Sequence, residues 1–277
     1  MKATLADGAG FCFGVKRALK IAFEAARRDN DDVFTLGPII HNPQVVARLE
    51  QEGVRVVDDL GQVSGGTLIV RSHGLPRGVL DRAASLGLDI VDATCPFVKQ
   101  AQDRAAQLEE EGHAVVVVGE EDHPEVLSIT GSLKGTATVV DGTAGLPDLP
   151  DCAKVGVVCQ TTQPQEHLAA VVRDLLSRFR EIKVFNTICD ATFDRQQSAL
   201  ELARKVDVML VVGGRNSANT RRLWELCRDE GRDAYHIETA EELEPEWFEG
   251  KEEVGITGGA STPQWIIDEV VAAVERI

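Results

Sequence analysis

Three cysteines of the 277-residue chain stand far apart: Cys12, Cys95 and Cys189, separated by 83 and 94 residues. There is no local Cys-x-x-Cys pair of the kind that most zinc ribbons and ferredoxins use, so a metal site has to be assembled from distant turns. Three thiolates brought to a common axis suit two centres. One is zinc, with water or histidine as fourth ligand; the other is a [4Fe–4S] cluster whose fourth iron stays open to bind and reduce a ligand. Cys152, Cys159 and Cys227 have no counterparts at equivalent positions and read as buried thiols in a loop, a strand and a helix.

A second set of polar residues keeps step with the cysteines. His41, His123 and the pair Ser217 and Asn219 follow Cys12, Cys95 and Cys189 by 29, 28, and 28 and 30 residues, and His73, Thr161 and Ser261 follow by 61, 66 and 72. Proline stands just after most of them, as in His41-Asn42-Pro43, His73-Gly74-Leu75-Pro76, His123-Pro124, Thr161-Thr162-Gln163-Pro164 and Ser261-Thr262-Pro263. Because proline is favoured at the first helical position, each marks a strand-to-helix turn, where ligands bind in open parallel sheets. The amides of helix starts favour anions and thiolates. With 29 Lys and Arg against 45 Asp and Glu, the net charge is −16, which excludes a sequence-wide grip on nucleic acid or anionic lipid.

The elements that must position these residues follow from hydrophobic patterning. Short β-branched runs at 115–118 and 208–212 alternate with longer amphipathic stretches, the pattern of parallel α/β units. Helices are expected at 15–28, 98–111, 165–179, 195–205, 220–230 and 264–275. One order of parts occurs three times: strand, cysteine, helix, strand ending in glycine, polar turn, helix and second polar turn. The glycines Gly37, Gly119 and Gly213 follow their cysteines by 25, 24 and 24 residues. Cut before the strands that lead to the second and third cysteines, the repeats run 1–87, 88–182 and 183–277. Counted from cysteine to cysteine, the expected domains are 13–95, 96–189 and 190–277, with residues 1–12 an N-terminal strand leading to the first cysteine. Near-threefold packing of such units would bring the three thiolates together.

Composition agrees with a globular protein, 43% hydrophobic and 27% charged. No apolar run approaches the roughly 20 residues of a membrane span, and residues 1–10 lack the regions of a signal peptide, so a cytoplasmic location is expected. Gly8-Ala9-Gly10-Phe11-Cys12-Phe13-Gly14 has the wrong spacing for a dinucleotide loop and lacks its acidic partner. Its glycines instead permit close approach of backbone to whatever Cys12 holds.

Taken together, these residues resemble the LytB or IspH reductases over essentially the whole chain. The likeness rests on residues 10–18 around Cys12, Gly37-Pro38-Ile39-Ile40-His41-Asn42, Arg71-Ser72-His73-Gly74, Asp92-Ala93-Thr94-Cys95-Pro96, His123-Pro124-Glu125-Val126, Gln160-Thr161-Thr162, Ile188-Cys189-Asp190-Ala191-Thr192, Asn216-Ser217-Ala218-Asn219 and Gly259-Ala260-Ser261. The resemblance implies a trefoil of three small, pseudo-threefold-related α/β domains around a central [4Fe–4S] cluster. Cys12, Cys95 and Cys189 would hold it and leave the fourth iron open to substrate. It further implies a diphosphate held by His41, His73, His123, Ser217, Asn219 and Ser261, with Glu125 supplying protons and Thr161 serving both substrate and acid. The implied reaction takes two electrons from reduced ferredoxin or flavodoxin and converts 4-hydroxy-3-methylbut-2-enyl diphosphate into isopentenyl and dimethylallyl diphosphates. No nucleic acid or membrane partner is implied.

Two positions depart from the family pattern: Ala218 stands where many members have serine, and Asp122 where many have glycine. Lys16, Arg17 and Lys20, on the helix after Cys12, form the basic patch at which an acidic electron donor is expected to dock. Two other readings are an iron or redox sensor, which needs neither Glu125 nor the six polar residues, and a zinc-dependent diphosphate hydrolase, which is colourless and needs no donor. Taken alone, Glu125 occupies the usual place of a solvated first-turn acid. In a pocket sealed against water, its pKa rises enough to donate a proton.

Overall fold

Valine-rich runs too short for helices become the inner strands of three parallel sheets, and the amphipathic stretches between them become the helices packed on those sheets. The computed structural model describes residues 1–28, 32–143, 145–149 and 153–277. β1 (Lys2–Leu5) opens the chain, and Cys12 leads into α1 (Phe13–Arg28). Next come β2 (Val33–Leu36), α2 (Pro43–Gln51), β3 (Val54–Val57), β4 (Thr67–Val70), α3 (Arg77–Ser85) and β5 (Asp89–Asp92). Cys95 then begins the same series, with α4 (Pro96–Glu110), β6 (Ala114–Val118), α5 (Pro124–Thr130), β7 (Ala137–Val140), β8 (Lys154–Cys159), α6 (Gln165–Leu176) and β9 (Glu181–Val184). After Cys189 the series runs through α7 (Asp190–Ala203), β10 (Val208–Val212), α8 (Ala218–Asp229), β11 (Asp233–Ile237), β12 (Glu253–Gly258) and α9 (Gln264–Arg276).

The α/β class and the three small sheets match the expectation from the repeats. Strand orders are β3-β2-β4-β5, β7-β6-β8-β9 and β11-β10-β12-β1. Register repeats too, with Val116 between Thr138 and Val157 and Leu210 between Tyr235 and Ile256. In the third sheet β1 takes the edge place that β5 and β9 take in the others, so each cysteine follows an edge strand. The polar turns, by contrast, follow the two central strands of each sheet. These are the strands at which the chain reverses its direction of winding, the place where open α/β sheets bind ligands. All six expected helices form; α7 starts at Asp190, ahead of the expected 195, with that acid in its first turn.

Backbone contacts divide the chain into two compact units, one of Met1–Lys16, Ile40–Arg48 and Asp190–Ile277, the other of Arg17–Ile39 and Leu49–Cys189. In the first, Val208, Leu210, Val212, Val254 and Ile256 pack on Ile266, Val270 and Val274 of α9. The opposite face of that sheet sets Met209 and Val211 against Ala199, Leu202 and Ala203 of α7 and Leu223 of α8. In the second unit, Val116, Val118, Val155 and Val157 face Leu168, Val171 and Leu175 of α6, while Val115, Val117 and Val158 face Ala101, Ala105 and Leu108 of α4. Burial on both faces explains why these strands read as continuous valine runs rather than alternating ones.

Gly156 in β8 lets α4 lie directly on the sheet, since a Cβ there would stand 2.6 Å from Leu108. Among the described residues no helix is long and apolar enough to cross a membrane. Leu108 is fully buried. Leu108→Ala therefore leaves a cavity against Gly156 and lowers stability by about 2–5 kcal/mol, to be read from urea unfolding at unchanged m-value.

Candidate active site

Cys12, Cys95 and Cys189 are half-buried, each immediately ahead of a helix: α1, α4 and α7. Their peptide N–H groups are used in one way. Cys12 donates to the Ala260 carbonyl at 3.2 Å, Cys95 to Ser72 at 2.9 Å and Cys189 to Thr161 at 3.1 Å. Each acceptor is, or adjoins, the residue expected in a second polar turn, namely Ser261, His73 and Thr161. The Val15 N–H also points at Cys12 Sγ, 3.5 Å away, as a helix-start amide does toward a thiolate. A half-buried thiol at a helix start is a soft donor of the kind that an iron–sulfur cluster or zinc takes.

Cys159 and Cys227 lie in the packed cores, as expected. Burial pushes the Cys227 thiol up to about 12, and the Cys159 thiol is raised by burial and by the nearby Glu125 charge. Cys152 lies outside the described residues.

In the unit that holds the first two sheets, α5 starts at His123 for a local reason. His123 Nδ1 accepts the Glu125 N–H at 3.1 Å, and Pro124 supplies the first helical residue. With Nδ1 an acceptor, the neutral ring carries its proton on Nε2. The His123 ring meets His73 edge to face, centroids 5.6 Å apart. Glu125 is 2% exposed, so it is not the solvated first-turn acid of the simplest reading. Thr161 holds both of its oxygens, donating from N–H to Oε1 at 2.6 Å and from Oγ1 to Oε2 at 3.0 Å. Burial raises the carboxyl from the ordinary 4.5 to about 7, against the opposing pull of the two Thr161 bonds.

The His73 turn depends on residues that sequence reasoning passes over. Ser72 Oγ donates to the Ile39 carbonyl at 2.9 Å. Gly74 has φ of 75°, and a Cβ there would lie 2.8 Å from Gln102 Nε2, which donates to the Ser128 hydroxyl. Only glycine fits at that turn. The Arg-Ser-His-Gly motif carries a signal for Ser72 and Gly74, whereas nothing local marks Gln102 or Ser128.

The other unit holds His41, Ser217, Asn219 and Ser261. Ser217 caps α8, its hydroxyl accepting the Thr220 N–H at 3.3 Å. Asn219 is 5% exposed, and neither end of its side-chain amide has a hydrogen-bond partner among the described residues. A buried amide left so is costly, and a polar ligand would satisfy it. Ser261 Oγ donates to the His41 carbonyl at 3.0 Å, so its one proton orients the His41 turn, and donating to an anion requires that bond to be exchanged. Asn42, beside His41, caps α2 through Oδ1 and leaves Nδ2 buried without a partner among the described residues, a candidate donor that sequence reasoning did not single out although it lies within the His-Asn-Pro motif. Asp122 is exposed, where water screens its charge, and Ala218 is buried in the first turn of α8.

Folded Glu125 binds its proton more tightly than the unfolded chain does, so its contribution to stability is fully present below pH 4.5 and is lost as pH rises to about 7. Relative to Glu125→Gln, the protein is expected to lose up to about 3 kcal/mol across that window, measured by urea unfolding at a series of pH values.

A model of the LytB protein family matches residues 3–275. A 4-hydroxy-3-methylbut-2-enyl diphosphate reductase from Geobacter sulfurreducens is 54% identical over 276 residues, covering 100% of this chain and 98% of that protein. Its counterpart in Pelobacter propionicus is 55% identical over 277 residues, with 100% and 99% covered. Among solved structures, (E)-4-hydroxy-3-methyl-but-2-enyl diphosphate reductase, the terminal enzyme of the non-mevalonate pathway, is similar with a TM-score of 0.73 and 45% identity, each chain covered in full. The E-1-hydroxy-2-methyl-but-2-enyl-4-diphosphate reductase from Plasmodium falciparum has a TM-score of 0.90 at 26% identity, covering 98% of this chain and 87% of that one.

Proposed function

The chain belongs to the LytB family, and on that premise we propose that it reduces 4-hydroxy-3-methylbut-2-enyl diphosphate to isopentenyl and dimethylallyl diphosphates, the last step of the methylerythritol phosphate route to isoprenoids. It is an oxidoreductase of isoprene biosynthesis, acting on a diphosphate in the cytoplasm. Domains 13–95 and 96–189 would each bring one polar set and end in a cysteine, and domain 190–277 would bring the third polar set, with Cys12 coming from the N-terminal strand of residues 1–12. A [4Fe–4S] cluster on Cys12, Cys95 and Cys189 would supply two electrons, received from ferredoxin or flavodoxin, and keep one iron without a protein ligand for the substrate. Lys16 and Lys20 are exposed for docking such a donor, while Arg17 turns inward to the Thr94 carbonyl and leaves the expected patch.

The diphosphate falls to His41, His73, His123, Ser217, Asn219 and Ser261. These are neutral or weakly basic donors, which hold an anion without the grip of a ring of Lys and Arg. His123 offers Nε2–H, and the Asn219 amide gains the partner it lacks.

One observation carries the reading: the buried Glu125 carboxyl, bound on both oxygens by Thr161 and half protonated near neutrality. A backbone N–H can only donate, so Oε1 stays an acceptor and the acid proton sits on Oε2. Thr161 Oγ1 can accept that proton while passing its own to the departing hydroxyl. The same residue receives the Cys189 amide on its carbonyl, so acid and cysteine are registered through a single residue.

Glu125→Gln keeps size and polarity but removes the acid. Anaerobic turnover with a chemical reductant, at matched iron content, should fall about 10²–10⁴-fold while substrate still binds; near-normal turnover would sink the acid role. Serine at Cys12, Cys95 or Cys189 should each abolish a stable four-iron cluster, and serine at Cys152, Cys159 or Cys227 should retain it. Zinc without inorganic sulfide in the unmodified protein would replace this reading with the hydrolase.

A further inference from the structure

We propose that Arg17 and Arg195 are positioning residues for the metal centre, each holding the peptide carbonyls just ahead of one ligand cysteine: Arg17 for Cys95, Arg195 for Cys12. This rests on the reading of the three cysteines as cluster ligands. Arg17 Nη1 donates to the carbonyl of Thr94, the residue before Cys95, at 2.9 Å. Arg195 spans the approach to Cys12, with Nε on the Gly8 carbonyl at 3.0 Å and Nη2 on Gly10 at 2.8 Å, while Nη1 reaches Ala191 at 3.1 Å. Arg195 is 4% exposed, and Arg17 is half-buried beside the exposed Lys16 and Lys20. In sequence, Arg17 stands five residues after Cys12 and Arg195 six after Cys189, so two repeats place an arginine on the helix that follows the cysteine.

Ordinary structural roles account for less of this. An arginine needed only to brace the first turn of α7 would stop at Ala191, yet Nε and Nη2 reach a loop 187 and 185 residues away. Gly8 and Gly10 have φ of 73° and 99°, in the left-handed region that favours glycine, and they carry the strand end to Cys12. A planar, permanently charged fork of donors is suited to hold several carbonyls of such a loop at once. By fixing the peptide ahead of each cysteine, the guanidinium sets where Sγ points, and it adds positive charge close to thiolates in a chain of net charge −16. Cys189 is served differently. Arg104 lies over the Phe185 ring at 4.8 Å, and the Thr187 hydroxyl accepts the Cys159 N–H at 2.8 Å and donates to the Cys159 carbonyl at 2.5 Å. That cysteine is the internal control.

The test uses the anaerobically purified full chain, with iron and sulfide analysis first: a wild-type protein without an iron–sulfur cluster overturns the ligand reading and this proposal with it, before any variant is made. Backbone hydrogen exchange by mass spectrometry then compares Arg17→Met, Arg17→Lys, Arg195→Met and Arg195→Lys. Loss of a charged hydrogen bond should speed exchange about tenfold or more in the peptide around Cys95 for Arg17→Met and in that around Cys12 for Arg195→Met, the Cys189 peptide staying at the wild-type rate. Both methionine variants should release iron to a chelator faster and shift the cluster's reduction potential to more negative values, since a nearby positive charge that favoured the added electron is gone. Lysine keeps the charge and one donor, so Arg17→Lys should restore the Cys95 peptide, whereas Arg195→Lys cannot span both carbonyls and should leave the Cys12 loop loose. If Arg195→Met does not fold, the Arg195→Lys arm decides for that residue. Unchanged exchange at both cysteines, or a uniform rise that includes Cys189, overturns the proposal.

Discussion

The hydrogen bond from each cysteine N–H to a polar turn is the constraint on which the site depends. Cys12 to Ala260, Cys95 to Ser72 and Cys189 to Thr161 are three copies of one contact. A cysteine at a helix start has no intrahelical acceptor for its own amide, because the first amides of a helix are orphans. Spending that amide on the neighbouring central-strand turn satisfies it and places thiol and ligand-binding side chain in fixed relation. Moving either turn would break the bond, so each cysteine and the polar turn beside it cannot drift apart independently.

Such registration is available because the sheets share one plan. Central strands end in the polar turns and edge strands end in the cysteines, and the third sheet obtains its edge from β1 at the other end of the chain. Parallel pairing sends every strand the same way, so all these turns in a given sheet emerge at one end. In the second and third sheets helices pack on both faces of the inner strands, the kind of support that a preorganised site requires.

Electrostatics then works with few full charges. At a net charge of −16 the chain has no surplus of cations to surround an anion. In the proposed site the donors are instead histidine, serine and asparagine side chains and helix-start amides, with the tautomer of His123 set by the Glu125 N–H. Glu125 is the complementary case. Its burial disfavours the carboxylate, while the Thr161 bonds prevent the shift from running higher, which leaves the acid titrating near the pH at which it would work.

The sequence by itself determined what is local: the valine strands, the helix starts at Pro43, Pro96 and Pro124 and just after Pro76, the three cysteines in step with their polar turns, and the threefold order of parts. Each is written in residue type and short spacing, where backbone preference and hydrophobic period act directly. Tertiary structure alone decided what those residues bond to. Thr161 meets Glu125 across 36 residues, Arg17 meets Thr94 across 77 and Ser261 meets His41 across 220. For that reason the sequence placed Arg17 on an exposed patch, whereas the fold turns it onto a carbonyl; for Glu125, local position alone suggested a solvated acid and only the resemblance pointed to a sealed one, which the fold buries. Neither outcome is coded in neighbouring residues, because burial and long-range hydrogen bonds exist only once distant segments have packed.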